Sequence, residues 1–144
     1  LDTTGGGGVV CACHGCIRPL GFGDLQRGER CNMDYIVFSA VNQGANSVKD
    51  LDISYDVACV WIKKLQQRIP LLPPGLREFA MACTVRPLIP KFHLPGHMKE
   101  CQAKFSWHLL SFLGVCDGEE IERFWAAHND AGRCTKEMAP SVGF

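Results

Sequence analysis

The chain has 144 residues, 15 basic against 15 acidic side chains, 47% hydrophobic content and 21% charged content. That length and balance suit one folded domain rather than a disordered tail, and zero net charge gives no general sign of a nucleic-acid surface, although a local basic patch would suffice. No apolar run approaches the ~18 residues needed to span a membrane. The cysteine count is odd, at 9, and no secretory leader is visible. Together these point to a reducing compartment with thiols buried or bound to metal. The first residue is Leu1, so the sequence reads as a piece of a longer chain.

In chain order, residues 1–30 are Gly-rich and expected to be irregular. "GGGG" leads into the strand-like run "VVCACHGC", and "RPLGFGDLQRGER" reads as a loop. Cys11, His14 and Cys16 have zinc-ligand spacing, without a matching second pair. "NMDYIVFSAVNQGAN" predicts a helix with Asn32 as N-cap, a stripe of Met33, Ile36, Val37, Ala40 and Val41, and a stop at Gly44.

"LDISYDVACVWIKKLQQRIP" changes period part-way. Leu51, Ile53, Tyr55 and Val57 alternate with polar residues, as in a strand. Ala58, Trp61, Ile62, Leu65 and Ile69 follow helical spacing. Asp56 therefore stands where a strand gives way to a helix, the end of a strand at which open α/β sheets bind ligands. Its plainer role is helix capping. Lys63, Lys64 and Arg68 on that helix, with Lys99, Lys104 and Arg123 elsewhere, are either a solvated face or phosphate contacts.

Further on, "LREFAMAC" suggests a short helix and "RPLIPKFHLPGH" a strand bounded by prolines, expected beside the Asp56 strand. "MKECQAKFSWHLLSFLG" suggests another helix. "HLPGHMKEC" spaces His93, His97 and Cys101 four residues apart. That series could hold zinc with Cys59 or Cys116 as a fourth ligand. Alternatively, His93 and His97 support nearby carboxylates or are hydrogen-bonded core residues. Cys31, Cys83 and Cys134 read as small apolar packing groups.

The last helix, in "CDGEEIERFWAAHND", has Ile121, Phe124, Trp125 and His128 on one face. Asp117 and Glu120 fit a capping box, with Glu120 reaching back to Asp117. Glu122 falls on the border of the buried face, where a carboxylate needs a proton, a partner or a metal. Glu119 lies nearly opposite.

Four blocks in order, "GDLQRGERCNMDYIVFSA", "LDISYDVACVWIKKLQQRIP", "PKFHLPGHMKECQAKFS" and "DGEEIERFWAAHNDAGRCTKEMAP", resemble the Kyakuja–Dileera–Zisupton (KDZ) transposases of mobile DNA elements. The resemblance spans nearly the whole chain. It implies an α/β fold, a partial ribonuclease-H-like core with a mixed sheet and flanking helices over residues 31–144. It also implies a divalent-metal-dependent DDE-type site that cuts and joins DNA at transposon ends, in the nucleus. Asp56 matches the second aspartate of such a site. The "GEEIER" block matches its glutamate, Glu119 or Glu122, with helix geometry favouring Glu122. The implied ions are Mg²⁺ or Mn²⁺, with zinc as a further candidate. The first strand and its aspartate are expected upstream of Leu1, because Asp34 reads as structural. The chain by itself is then expected to be inactive, and an oligomer is left open. The competing expectations are a non-catalytic, zinc-stabilised module that binds nucleic acid or protein, and a decayed relic.

Overall fold

A computed structural model describes residues 5–25, 30–44, 48–109 and 116–136, with side chains described up to residue 128 in the last segment. The architecture is mixed α/β, as expected. Among the described residues the strands form two small sheets rather than one mixed sheet: an antiparallel pair and a parallel pair.

β1 (Gly5–Val10) and β2 (Ile17–Leu25) make an antiparallel hairpin: the strand-like run expected from Val9 supplies only the end of β1, and β2 stands where a loop was expected. Its glycines explain the missed signal. Gly7 and Gly23 face each other across the pair, and the Ile36 side chain of α1 (Arg30–Asn42) presses onto both. A Cβ at Gly23 would stand 2.8 Å from Ile36 Cδ1. These strands are therefore built from residues of low strand propensity so that a helix can approach their backbone. α1 begins two residues before Asn32, whose side chain donates to the Asp24 carbonyl instead of capping.

The other face of α1 buries Phe38 in the main core, with Leu51, Trp61, Leu65, Ile69, Leu72, Leu76 and Ala80. β3 (Asp50–Ser54) pairs in parallel with β4 (Thr84–Leu88), and Asp52 meets Arg86 across the pair in an ion pair. The connection between them runs through α2 (Ala58–Trp61), α3 (Leu65–Arg68), a 3₁₀ turn and α4 (Pro74–Ala82). One continuous helix was expected over α2 and α3. It breaks at Lys64, which takes a left-handed conformation with φ 63°. Arg68 accounts for the break. Its guanidinium donates to the carbonyls of Trp61 (2.7 Å) and Lys63 (2.8 Å), and its Nε meets Asp34 Oδ2 at 2.6 Å. Asp34, only 1% exposed, also accepts from Trp61 Nε1 at 2.8 Å. Arg68 is thus committed to the core and is neither a solvated charge nor a phosphate contact, whereas Lys63 and Lys64 are exposed.

The helix expected after "HLPGH" is cut short. α5 (Lys99–Phe105) ends where Ser106 turns extended, because Phe105, Ser106 and Trp107 are all buried and the Phe105 carbonyl accepts from Ile89 N–H. α6 (Glu120–Lys136) lies along the hairpin. Phe22 packs on Phe124 and Trp125 with ring centroids 5.3 and 5.8 Å apart, and His128 stacks on Phe124. Cys83 is buried as expected, Cys31 is exposed, and the side chain of Cys134 lies outside the described residues.

Candidate metal centres at the β3–α2 corner

The parallel pairing of β3 and β4 brings both expected sites to one end of the small sheet. Chain leaving β3 carries Tyr55, Asp56 and Cys59, and chain leaving β4 carries Phe92, His93 and His97. The start of α6 closes the same corner. Ser54 Oγ donates to the Gly118 carbonyl at 3.4 Å, and Lys91 N–H donates to the Asp117 carbonyl at 3.0 Å. Gly118 has φ +78°, and a Cβ there would collide with Ser54 Oγ and lie 2.8 Å from Trp107 Nε1. Only glycine fits that backbone at that proximity. The Trp107 indole N–H is itself buried, with no hydrogen-bond partner among the described residues.

Each acidic residue has a distinct environment. Asp56 is half-buried in the turn after β3, and its Oδ1 accepts from Val57 N–H at 2.8 Å. It does not cap α2. Glu119 Oε1 accepts from Phe92 N–H at 2.8 Å, which fastens the start of α6 to the segment after β4. Glu122, expected at the edge of a buried face, is exposed instead, and its Oε1 lies 3.4 Å from His93 Nε2. Asp117 accepts from Glu119 N–H at 3.0 Å, close to its expected capping role. Glu120 does not reach back. It pairs with Arg123, which also grips Asp117 and holds that carboxyl below its usual range. Arg123 is therefore tied to two carboxylates rather than free for phosphate. Lys99 and Lys104 are exposed, with the Lys104 ammonium over the Phe105 ring.

The His/Cys series divides. His93 goes to Glu122, while His97 and Cys101 converge with Cys59. The three donor atoms lie within 4.8 Å of one another, and Cys59 Sγ is 3.6 Å from His97 Nδ1. Among the described residues this is the one group of three or more Cys, His, Asp and Glu donors drawn so close. His97 is extended and sits just ahead of α5, not inside it. Its carbonyl is held by Gln102 Nε2 at 2.7 Å, which sets the imidazole against Cys101 one turn into the helix. Burial and the neighbouring Cys101 push the Cys59 thiol up. Two sulfurs and one imidazole suit zinc, and three such ligands leave one tetrahedral position for water or another group. Hard Mg²⁺ would not choose this set.

Cys116, the other candidate fourth ligand, is elsewhere. Its Sγ lies 3.8 Å from Cys13 Sγ. At the hairpin tip Cys11 Sγ meets His14 Nδ1 at 3.3 Å, and that contact lowers the Cys11 thiol pKa. The Cys16 thiol has no side-chain partner among the described residues.

Residues 1–142 match the Kyakuja-Dileera-Zisupton transposase family. The chain belongs to the KDZ transposase family. Neither a curated protein nor a solved structure matches it. Membership of this KDZ family makes DNA the general class of partner. Among the described residues no helix is long and apolar enough to cross a membrane.

Proposed function

We propose that this chain carries the Asp56 and glutamate arms of a ribonuclease-H-like transposase core, acting on DNA at transposon ends in the nucleus. In this reading residues 31–144 form the core, and residues 1–30 add a hairpin that covers α1 and α6. Asp56 and Glu122 ligate Mg²⁺ or Mn²⁺. Glu119 fastens α6 to the segment after β4, and its second oxygen stands ready as a further ligand. His93 orients the Glu122 carboxylate, as a supporting partner does for a metal ligand.

The observation that carries the proposal is the contact between Ser54 and Gly118. It sets the turn bearing Asp56 beside the first residues of the acidic helix. Carboxylates suit hard divalent ions that keep waters and phosphate oxygens as their other ligands. When bound, a pair of such ions stabilises the attacking and leaving oxygens of an in-line displacement. The chain's own part is to hold the carboxylates at a rigid corner. Cys59 shares that corner with Asp56, so zinc at Cys59, His97 and Cys101 would lock α2 to α5 and keep the Asp56 turn in place. The Trp107 N–H beside Gly118, unpartnered among the described residues, is a donor suited to a water or phosphate oxygen at the floor of the corner.

The test is thermal melting of zinc-loaded protein with and without millimolar Mn²⁺. An upward shift that Asp56→Asn removes and that Asp52→Asn leaves intact is the expected result. No shift in the wild type, with zinc retained, sinks the catalytic reading. It leaves the second reading, a zinc-stabilised binding module, which the convergence of Cys59, His97 and Cys101 favours.

A further inference from the structure

The sulfur-rich tip of the β1–β2 hairpin is not needed for the corner site, yet it is seated against the start of α6. Between the strands the chain makes a tight turn. Cys11 N–H donates to the Cys16 carbonyl, and the N–H groups of His14 and Gly15 both donate to the Cys11 carbonyl. Gly15 takes φ +62° and sits against Glu120, where a Cβ would come within 2.8 Å of Oε2. Lower down, Gly8 lies against Ile121 and Gly6 against Trp125. This packing holds the tip over the residues that precede α6, and there Cys13 meets Cys116, 103 positions later in the chain.

We propose that Cys11, Cys13, His14 and Cys116 form a second soft-metal site, of zinc class, that ties the hairpin tip to the start of α6. The spacings are those of tetrahedral coordination. Ligands at about 2.3 Å for sulfur and 2.0–2.1 Å for nitrogen place two sulfurs about 3.8 Å apart, and a sulfur and a nitrogen about 3.5 Å apart. The structure has Cys13 and Cys116 sulfurs at 3.8 Å and the Cys11 sulfur and His14 nitrogen at 3.3 Å. No three of these donors lie within 4.8 Å of one another, so the two pairs must still close around the ion. Cys13 and His14 are exposed, which leaves their side chains free to turn. Cys16, which sequence spacing alone suggested as a ligand, is excluded from this set, and Cys116 takes its place. Glu120 is not needed as a ligand, since Arg123 holds it.

The site is independent of the corner site, and the experiment separates them. Apo protein is titrated with cobalt(II), reading sulfur-to-cobalt charge-transfer absorption, and bound zinc is counted by mass spectrometry of the native protein. The wild type binds two ions. Cys13→Ser with Cys116→Ser binds one, Cys59→Ser also binds one, and Cys16→Ser still binds two. Cadmium NMR of the wild type provides a readout that needs no variant: two resonances are expected, the more sulfur-rich belonging to the hairpin site. An ion count that the Cys13→Ser, Cys116→Ser double variant leaves unchanged, or a Cys13–Cys116 disulfide in reduced, metal-loaded protein, overturns the proposal. Loss of only the Cys59 ion would leave it standing while removing the zinc assigned to the corner.

Discussion

Asp34→Ala should be the most destabilising single change outside the metal sites, for a reason that can be worked from the geometry. The Asp34 carboxylate is 1% exposed and Arg68 only 11%. Removing the carboxylate takes the partner from Arg68 Nε and Nη2 and from Trp61 Nε1, leaving a cation and an indole N–H unpaired in the core. Breaking a buried pair in this way costs about 3–5 kcal/mol. That is a large share of a typical stability of roughly 5–15 kcal/mol. At about 2–4 °C per kcal/mol for a chain of this size, melting should fall by roughly 6–20 °C. Urea denaturation followed by tryptophan fluorescence gives the free energy directly, and Trp61 reports on the site itself. The double variant Asp34→Ala with Arg68→Met should recover much of the loss, since replacing both charges with apolar groups is often near neutral. Additive single effects, or an Asp34→Ala cost below about 1 kcal/mol, would refute the argument that this pair organises the break between α2 and α3.

Gly118→Ala should cost roughly 2–4 kcal/mol through its positive φ and the collision with Ser54 and Trp107, and in the surviving folded fraction it should abolish the Mn²⁺ response; a neutral melt would show that α6 does not close on β3. Chelation of zinc should lower the melting temperature of the wild type. His97→Ala and Cys101→Ser should each lose the corner ion, and His93→Ala should keep it, as native mass spectrometry would report. Burial raises the Cys83 thiol above its ordinary value, so the folded state holds its proton where the unfolded chain releases it. Its stabilising contribution is therefore complete below the unfolded thiol value of about 8.5 and is lost as pH rises through the folded one. The stability difference between wild type and Cys83→Ala, from urea melts, should shrink as pH rises from 8 to 10, by at most about 1.4 kcal/mol per pH unit.

The corner was legible because it rests on local pattern. The change of period at Asp56 marked the end of β3, whereas the strand expected over "RPLIPKFHLPGH" overlaps the one that pairs with β3 only at Arg86–Leu88, because the chain after Ile89 turns and enters a 3₁₀ turn at Leu94–Gly96. The spacing of Ile121, Phe124 and Trp125 likewise gave the packed face of α6. What was not legible depends on tertiary partners. Most of the hairpin is written in glycines because Ile36 must reach its backbone, so beyond the strand-like "VV" at the end of β1 it has little strand signature. Helical periodicity runs unbroken through Lys64, and the break there comes from an arginine committed to an aspartate 34 residues away. "HLPGHMKEC" shows three equally spaced ligands. The 3₁₀ turn at Leu94–Gly96 turns His93 toward Glu122 and leaves His97 to Cys59 and Cys101. The meeting of Cys13 with Cys116 has no sequence signal at all, since neither residue falls in a spaced motif with the other.

The most direct test of the account is paramagnetic broadening by Mn²⁺ in zinc-loaded, isotope-labelled protein. If Asp56 and the acidic helix hold a divalent ion, low Mn²⁺ should first broaden the backbone signals of Val57, Gly118 and Glu119 and the ring signals of His93. Asp56→Asn should remove that selectivity, and added Mg²⁺ should compete it away. Broadening scattered over exposed carboxylates such as Asp50 and Glu78, unchanged by Asp56→Asn, would contradict the assignment.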